Sequence, residues 1–324
     1  MTFQFRDAKR SEAKPLIGLY AESGCGKTWS ALLLARGFVG PNGKIGMIET
    51  EGGRGEANVG REPVGNYLVC PIRGNFSPKA YGEALTAAES AGLDALIVDS
   101  ASHEWEGAGG VLSMAAENQA AGKKGVLVWQ QPKIEHQRHF MLRLMQTPIP
   151  LVIVCMRAKY PMQQIKNEWA RSTVLEPKQA DDILFEMFVH GWIDQDHNLH
   201  VTKYTIPELA AVIPDGKPIS IQTGQSLASW ARGETPPARS AARTAAPPVD
   251  QPAQQDGAAD VPSAADYHQQ WARMILNATR ADQLASTWNG QKALHKQIAW
   301  TAKHSYEDLK SAVLAAIEDL KQPA

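Results

Sequence analysis

Cysteine is scarce in this chain: three residues in 324, at Cys25, Cys70 and Cys155, with no CxxC pair and no metal-ligand spacing. That argues against a disulfide framework or a zinc site and for a reducing, cytoplasmic compartment. Cys70 and Cys155 sit in apolar runs and read as core residues. Net charge is also nearly absent, 33 Lys and Arg against 34 Asp and Glu. A global electrostatic attraction to nucleic acid is thereby excluded, and any such contact must come from a local patch. No apolar run approaches the roughly 20 residues needed to cross a bilayer, so no membrane partner is expected. The polar, basic start from Met1 to Lys14 lacks the apolar segment of a secretory leader.

Hydrophobic residues make up 44% of the chain, enough for one large core and an appendage. Composition breaks between about Gly233 and Ala264, where Pro, Ala, Gln and Asp replace large apolar residues. Such a segment cannot bury enough surface to offset its ordering entropy and is expected to be a disordered linker. Three parts follow: a main domain over 1–232, the linker over 233–264, and a small helical domain over 265–324. In the last, Leu309, Val313, Ile317 and Leu320 form a helical stripe, and its tryptophans read as core.

In the main domain, short apolar runs alternate with helical ones. Strands are expected at Leu16–Tyr20, Lys44–Glu49, Tyr67–Cys70, Ala95–Val98 and Ile149–Cys155. Helices are expected at Trp29–Gly37, Pro78–Ala91, Gly110–Ala121 and Lys133–Met145. Runs near Thr173–Leu175, Leu184–Val189 and Leu199–Thr202 would extend the sheet. The pattern predicts an α/β fold with a mainly parallel sheet covered on both faces, whose ligand lies at the carboxyl ends of the strands.

At one such strand end stands Ala21-Glu22-Ser23-Gly24-Cys25-Gly26-Lys27-Thr28, between an apolar strand and a helical run. This is the context a phosphate-binding loop requires. Its glycines let backbone N–H groups converge on one anion, and the helix N-terminus adds partial positive charge. Lys27 would reach the β- and γ-phosphates of ATP or GTP, and the Thr28 hydroxyl would ligate Mg²⁺. Ala21 occupies a position usually held by Gly. Asp99 closes the run Ala95-Leu96-Ile97-Val98-Asp99, where a carboxylate can hold the Mg²⁺ shell. Glu51, after the second strand, is a candidate to orient and deprotonate a water. Glu104 is its rival.

The set AESGCGKT, IGMIETE, ALIVDS and LVIVCMRAK resembles the RecA-like P-loop ATPase core in order and spacing. The resemblance implies that Glu51 is the catalytic base. It also implies a γ-phosphate-sensing glutamine after the fifth strand, but Cys155-Met156 stands there, leaving Arg157 and Lys159 as basic candidates for a nucleotide or DNA phosphate. More narrowly, Asp99 through Gly107, Cys155 through Lys159 and Phe185-Glu186-Met187 resemble the Sak-type single-strand annealing ATPases of bacteriophages, over roughly residues 3–232. That resemblance implies ATP-dependent DNA recombination or replication, with single-stranded DNA and a single-strand-binding protein as partners.

Phe5-Arg6-Asp7-Ala8 has the Phe-x-x-Ala form with which RecA-type proteins dock on a neighbouring subunit, so a homo-oligomer is expected. Arg6, Lys9, Arg10 and Lys14 form one basic patch. Lys123-Lys124, beside Trp129 and Lys133, form another, and residues 107–133 are a candidate DNA-facing region. The rival readings are a nucleotide kinase, an ATPase for helicase loading or packaging, and a nucleotide-gated DNA-binding module with negligible turnover.

Overall fold

The computed structural model describes residues 5, 7–10, 13–165, 168–172, 174–234, 271, 281–290, 295, 309–310, 313–314 and 317–318. The chain divides into two compact units, Met1–Ala241 and Ala242–Ala324. The linker expected at 233–264 lies outside the described residues from 235 onward.

In the first unit the order is β1 (Leu16–Ala21), α1 (Lys27–Val39), β2 (Ile45–Glu49), β3 (Leu68–Pro71), α2 (Pro78–Ser90), β4 (Ala95–Asp99), α3 (Ser102–Glu106), α4 (Val111–Ala120), α5 (Val126–His136), α6 (Leu142–Gln146) and β5 (Leu151–Lys159). Then come β6 (Met162–Ile165), β7 (Glu168–Arg171), β8 (Glu176–Pro177), α7 (Asp182–Glu186), β9 (Val189–Ile193), β10 (Asn198–Tyr204), α8 (Leu209–Val212), β11 (Lys217–Pro218) and α9 (Ile221–Ala231). The main sheet runs β11-β10-β9-β1-β5-β4-β2-β3. The pairings from β9 to β3 are parallel, and β10 is antiparallel to β9 and to β11. The hairpin β6–β7 stands apart from this sheet.

The central strands are apolar without interruption because both faces are covered. Successive side chains point to opposite faces, and the core divides accordingly. Ile97, Leu151, Ile153 and Cys155 face one cluster with Leu32 and Leu34 of α1 and Leu227 and Trp230 of α9. Leu96, Val98, Val152 and Val154 face the other, with Tyr81 and Leu85 of α2 and Phe140 and Leu144. Helix starts are locally specified. The Ser77 hydroxyl accepts from the Ala80 N–H at 3.3 Å ahead of Pro78, and Ser220 and Thr223 form a capping box on α9.

The elements depart from the sequence pattern in three places. The helix expected at Lys133–Met145 begins at Val126, carries Pro132 inside it, and passes through a π-helical turn at Gln137–Met141 into α6. No strand is described at 174–175. Residues 184–186 belong to α7, which buries Ile183 against the second cluster; a short apolar run does not by itself distinguish helix from strand. The three cysteines are free, Cys25 and Cys155 buried and Cys70 half-buried. Among the described residues no helix is long and apolar enough to cross a membrane.

In the second unit, Ala281–Gly290 is helical. Trp271, Leu284, Trp288, Leu309, Val313 and Ile317 are buried, with the Trp271 and Trp288 rings edge-on at 4.8 Å. Leu320, the last residue of the expected stripe, lies outside the described residues.

Candidate nucleotide-binding site

Strand order places the site. β5 lies between β1 and β4, with Ala21 in register with Arg157 and Cys155 with Asp99. Glu49 on β2 is in turn level with Asp99. The loop after β1 and the ends of β2, β4 and β5 therefore open on one side of the sheet. There they line a cleft of about 650 Å³ that includes Lys27, Thr28, Glu51, Asp99, Arg157 and Lys178.

The loop at 21–28 has the backbone its sequence requires. Gly24 and Gly26 lie at φ of +90° and +88°, and Gly26 is the residue before α1. That left-handed conformation is open to glycine at little cost. Lys27 Nζ donates to the carbonyls of Ala21 at 3.3 Å and Glu22 at 3.2 Å. The Thr28 hydroxyl donates to Asp99 Oδ2 at 2.5 Å. Burial pushes the Asp99 carboxyl above the usual range, opposed by this Thr28 bond. Within the loop, Ala21, Ser23, Gly24 and Gly26 line the cleft. The Cys25 side chain is buried in the core, and Glu22 pairs with Arg171 at 3.6 Å. A loop of backbone donors, one ammonium, and a hydroxyl beside a carboxylate are the donor set that fits polyphosphate and Mg²⁺.

Glu51 reaches the same cleft, held by Arg157 Nε at 2.9 Å and by Arg54 at 3.7 Å. Its backbone is fixed by a residue that sequence reasoning passed over. The fully buried Glu49 carboxylate accepts the N–H of Glu51 at 2.6 Å and of Gly53 at 3.0 Å, and pairs with Arg73 at 2.5 Å. Glu104 is turned elsewhere. It is buried, bonded to His136 Nδ1 at 2.9 Å and Gln179 Nε2 at 3.2 Å, and is not among the cleft-lining residues. Burial pushes its carboxyl up. Burial alone would lower His136, but its bond to Glu104 and the nearby carboxylates carry it above the ordinary value.

Arg157 lies in the cleft, whereas Lys159 is exposed at the end of β5 and apart from it. The strand-end cation that joins Arg157 is Lys178. Its N–H donates to the Arg157 carbonyl at 2.7 Å and its ammonium pairs with Glu106 at 3.2 Å. No local motif marks Lys178; only the antiparallel pairing of β8 with β5 brings it in. His197 is a second unforeseen neighbour. It holds φ of +66° and bonds through Nδ1 to the Cys25 carbonyl at 2.9 Å, against the phosphate loop.

The other sequence candidates are scattered. Phe5 is exposed and Arg6 lies outside the described residues. Arg10 stands over the Trp230 ring and Lys14 donates to the Thr147 carbonyl, so both take part in packing. Lys123 bonds Asn118.

No protein-family model matches the sequence, and no curated protein matches it. Among solved structures the chain is similar to a KaiC-like protein from the hyperthermophilic archaeon Pyrococcus horikoshii OT3, at 11% identity over 59% of this chain and 79% of that one, TM-score 0.32. It is similar also to a prototypical ATPase from the type III secretion system of pathogenic bacteria, at 14% identity over 94% and 80% of the two chains, TM-score 0.31. Likenesses this distant leave the fold class to the chain's own topology. A mainly parallel sheet, a phosphate-type loop after β1 and β5 inserted between β1 and the Asp99 strand make it a P-loop α/β core.

Proposed function

We propose that this chain binds and hydrolyses ATP and couples hydrolysis to work on DNA, as a RecA-like protein of phage recombination or replication that binds or anneals single strands. The observation that carries the reading is the convergence of Lys27, Thr28, Asp99 and Glu51 on one cleft, which sets a second carboxylate, beyond the one suited to Mg²⁺, in the cleft of the phosphate loop. Lys27 and the loop amides hold the β- and γ-phosphates. Thr28 and Asp99 are the residues that would hold Mg²⁺, which supplies charge neutralisation on the phosphates when bound. Glu51 orients the attacking water and takes its proton as the water oxygen bonds the γ-phosphorus and the bond from that phosphorus to the β–γ bridging oxygen breaks, releasing ADP. Arg157 and Lys178 supply cations at the open end of the cleft.

The DNA-handling part of the reading rests on the resemblance to the Sak-type group, together with the basic and aromatic residues of 107–133. A homo-oligomer docking through Phe5 and Ala8, and a single-strand-binding protein as partner, belong to the same proposal.

Release of phosphate from ATP by the full chain tests the hydrolytic reading. Glu51→Gln is expected to slow turnover by roughly 10²–10³-fold with nucleotide still bound, and Glu104→Gln to leave the chemical step far less affected. Full activity in Glu51→Gln would overturn the assignment of the base. Transfer of phosphate to a small acceptor would overturn the hydrolytic reading.

A further inference from the structure

A second cavity, of about 610 Å³, opens beside α5 and α7, and the nucleotide chemistry does not use it. Its walls include Trp105, Trp129 and Phe185, and its polar lining includes Lys133, His136 and Gln179. Phe185 is 75% exposed and Trp129 36%, so two flat apolar side chains face solvent across a concave site. In its lining the buried His136 Nε2 and the Oδ1 of half-exposed Asp182 lie 3.7 Å apart, and neither atom makes a hydrogen bond, while Asp182 Oδ2 accepts from Gln137 at 2.7 Å. The Trp105 ring stands edge-on to His136 at 5.6 Å.

We infer that this cavity is a base-binding subsite for single-stranded DNA; the inference rests on the DNA-handling reading above. Three features select that ligand. Aromatic faces stack on any base and so suit a sequence-tolerant strand. The carboxylates of Asp181 and Asp182 in the lining repel phosphate, which keeps the backbone at the Lys133 rim and admits the neutral base. The His136 imidazole and the Asp182 carboxylate, each with an atom lacking a hydrogen-bond partner, match a donor and an acceptor on the edge of a base.

The cavity adjoins the nucleotide cleft through consecutive residues: Lys178 lines the cleft and Gln179 the cavity. Gln179 Nε2 donates to the Ala101 carbonyl at 2.9 Å and to Glu104 at 3.2 Å, just beyond Asp99. A base seated against Gln179 and His136 bears on the segment that carries Lys178. Strand binding and ATP turnover are thereby linked.

The test compares binding of the full chain to an oligothymidylate of about 20 nucleotides and to an abasic strand of equal length. The wild type is expected to prefer the strand with bases by about tenfold or more. Trp129→Ala combined with Phe185→Ala is expected to abolish that preference and the stimulation of turnover by DNA, with basal turnover and melting temperature unchanged. Trp129→Phe should retain the preference. A double variant that keeps the preference overturns the subsite, as does a wild type that binds both strands equally, although the DNA-handling reading would then survive. Absence of binding to either strand overturns both.

Discussion

Glu49 shows how one side chain can set the geometry of another. Its buried carboxylate bonds the Glu51 and Gly53 amides and Arg73, so it fixes the loop on which the candidate base is carried. A positioning residue of this kind acts on the rate more than on binding. Glu49→Gln is expected to lower turnover about tenfold while nucleotide affinity, measured by titration calorimetry, stays near that of the wild type. His190 carries a different prediction. It is buried between the Tyr20 ring and the Lys203 charge, and its Nδ1 has no hydrogen-bond partner. Burial first, then Lys203, pushes its pKa down to about 4, against about 6.5 in an unfolded chain. Between those values the unfolded chain binds the extra proton, so stability falls as pH drops from about 6.5 to 4 and this contribution levels off below. The loss is on the order of 3 kcal/mol. Denaturant melts of His190→Leu should show that slope flattened relative to the wild type, and an unchanged slope would remove His190 as its source.

Among the elements, the contact of α1 with α9 is set by two glycines. A Cβ on Gly37 would lie 2.1 Å from the Ile221 carbonyl oxygen, and one on Gly224 would lie 2.3 Å from that of Leu34. Backbone cannot yield as a flexible side chain does. Gly37→Ala is therefore expected to destabilise the chain by about 1–3 kcal/mol, read as a shift in denaturant midpoint. Because α1 begins at Lys27, the same change should also weaken nucleotide binding. What was legible in the sequence follows the range of the interactions. The phosphate loop, its strand and its helix are adjacent in the chain, and Asp99 directly closes its own apolar strand, so local patterns marked both. Lys178, His197 and the Glu49 clamp owe their places to pairing and folding across the sheet, which no local pattern encodes. The start of α5, ahead of the expected Lys133, also escapes local pattern. A proline usually ends a helix, yet here α5 runs through it, with Pro132 and His136 buried.

At the scale of the whole molecule, the sheet gathers the nucleotide residues at the strand ends, while α3, α5 and α7 form an aromatic cavity alongside. Residues 178 and 179 link the two. With a near-zero net charge, the proposed DNA recognition would rest on such local features rather than on an overall field. Binding to single strands should still weaken with salt, but with a shallow slope reflecting few phosphate contacts. The most direct measurement is the rate of phosphate release from ATP by the full chain, with and without single-stranded DNA, alongside Lys27→Ala. Turnover that rises several-fold with DNA and is abolished in Lys27→Ala is the predicted result. Turnover indifferent to DNA, or surviving in Lys27→Ala, would contradict it.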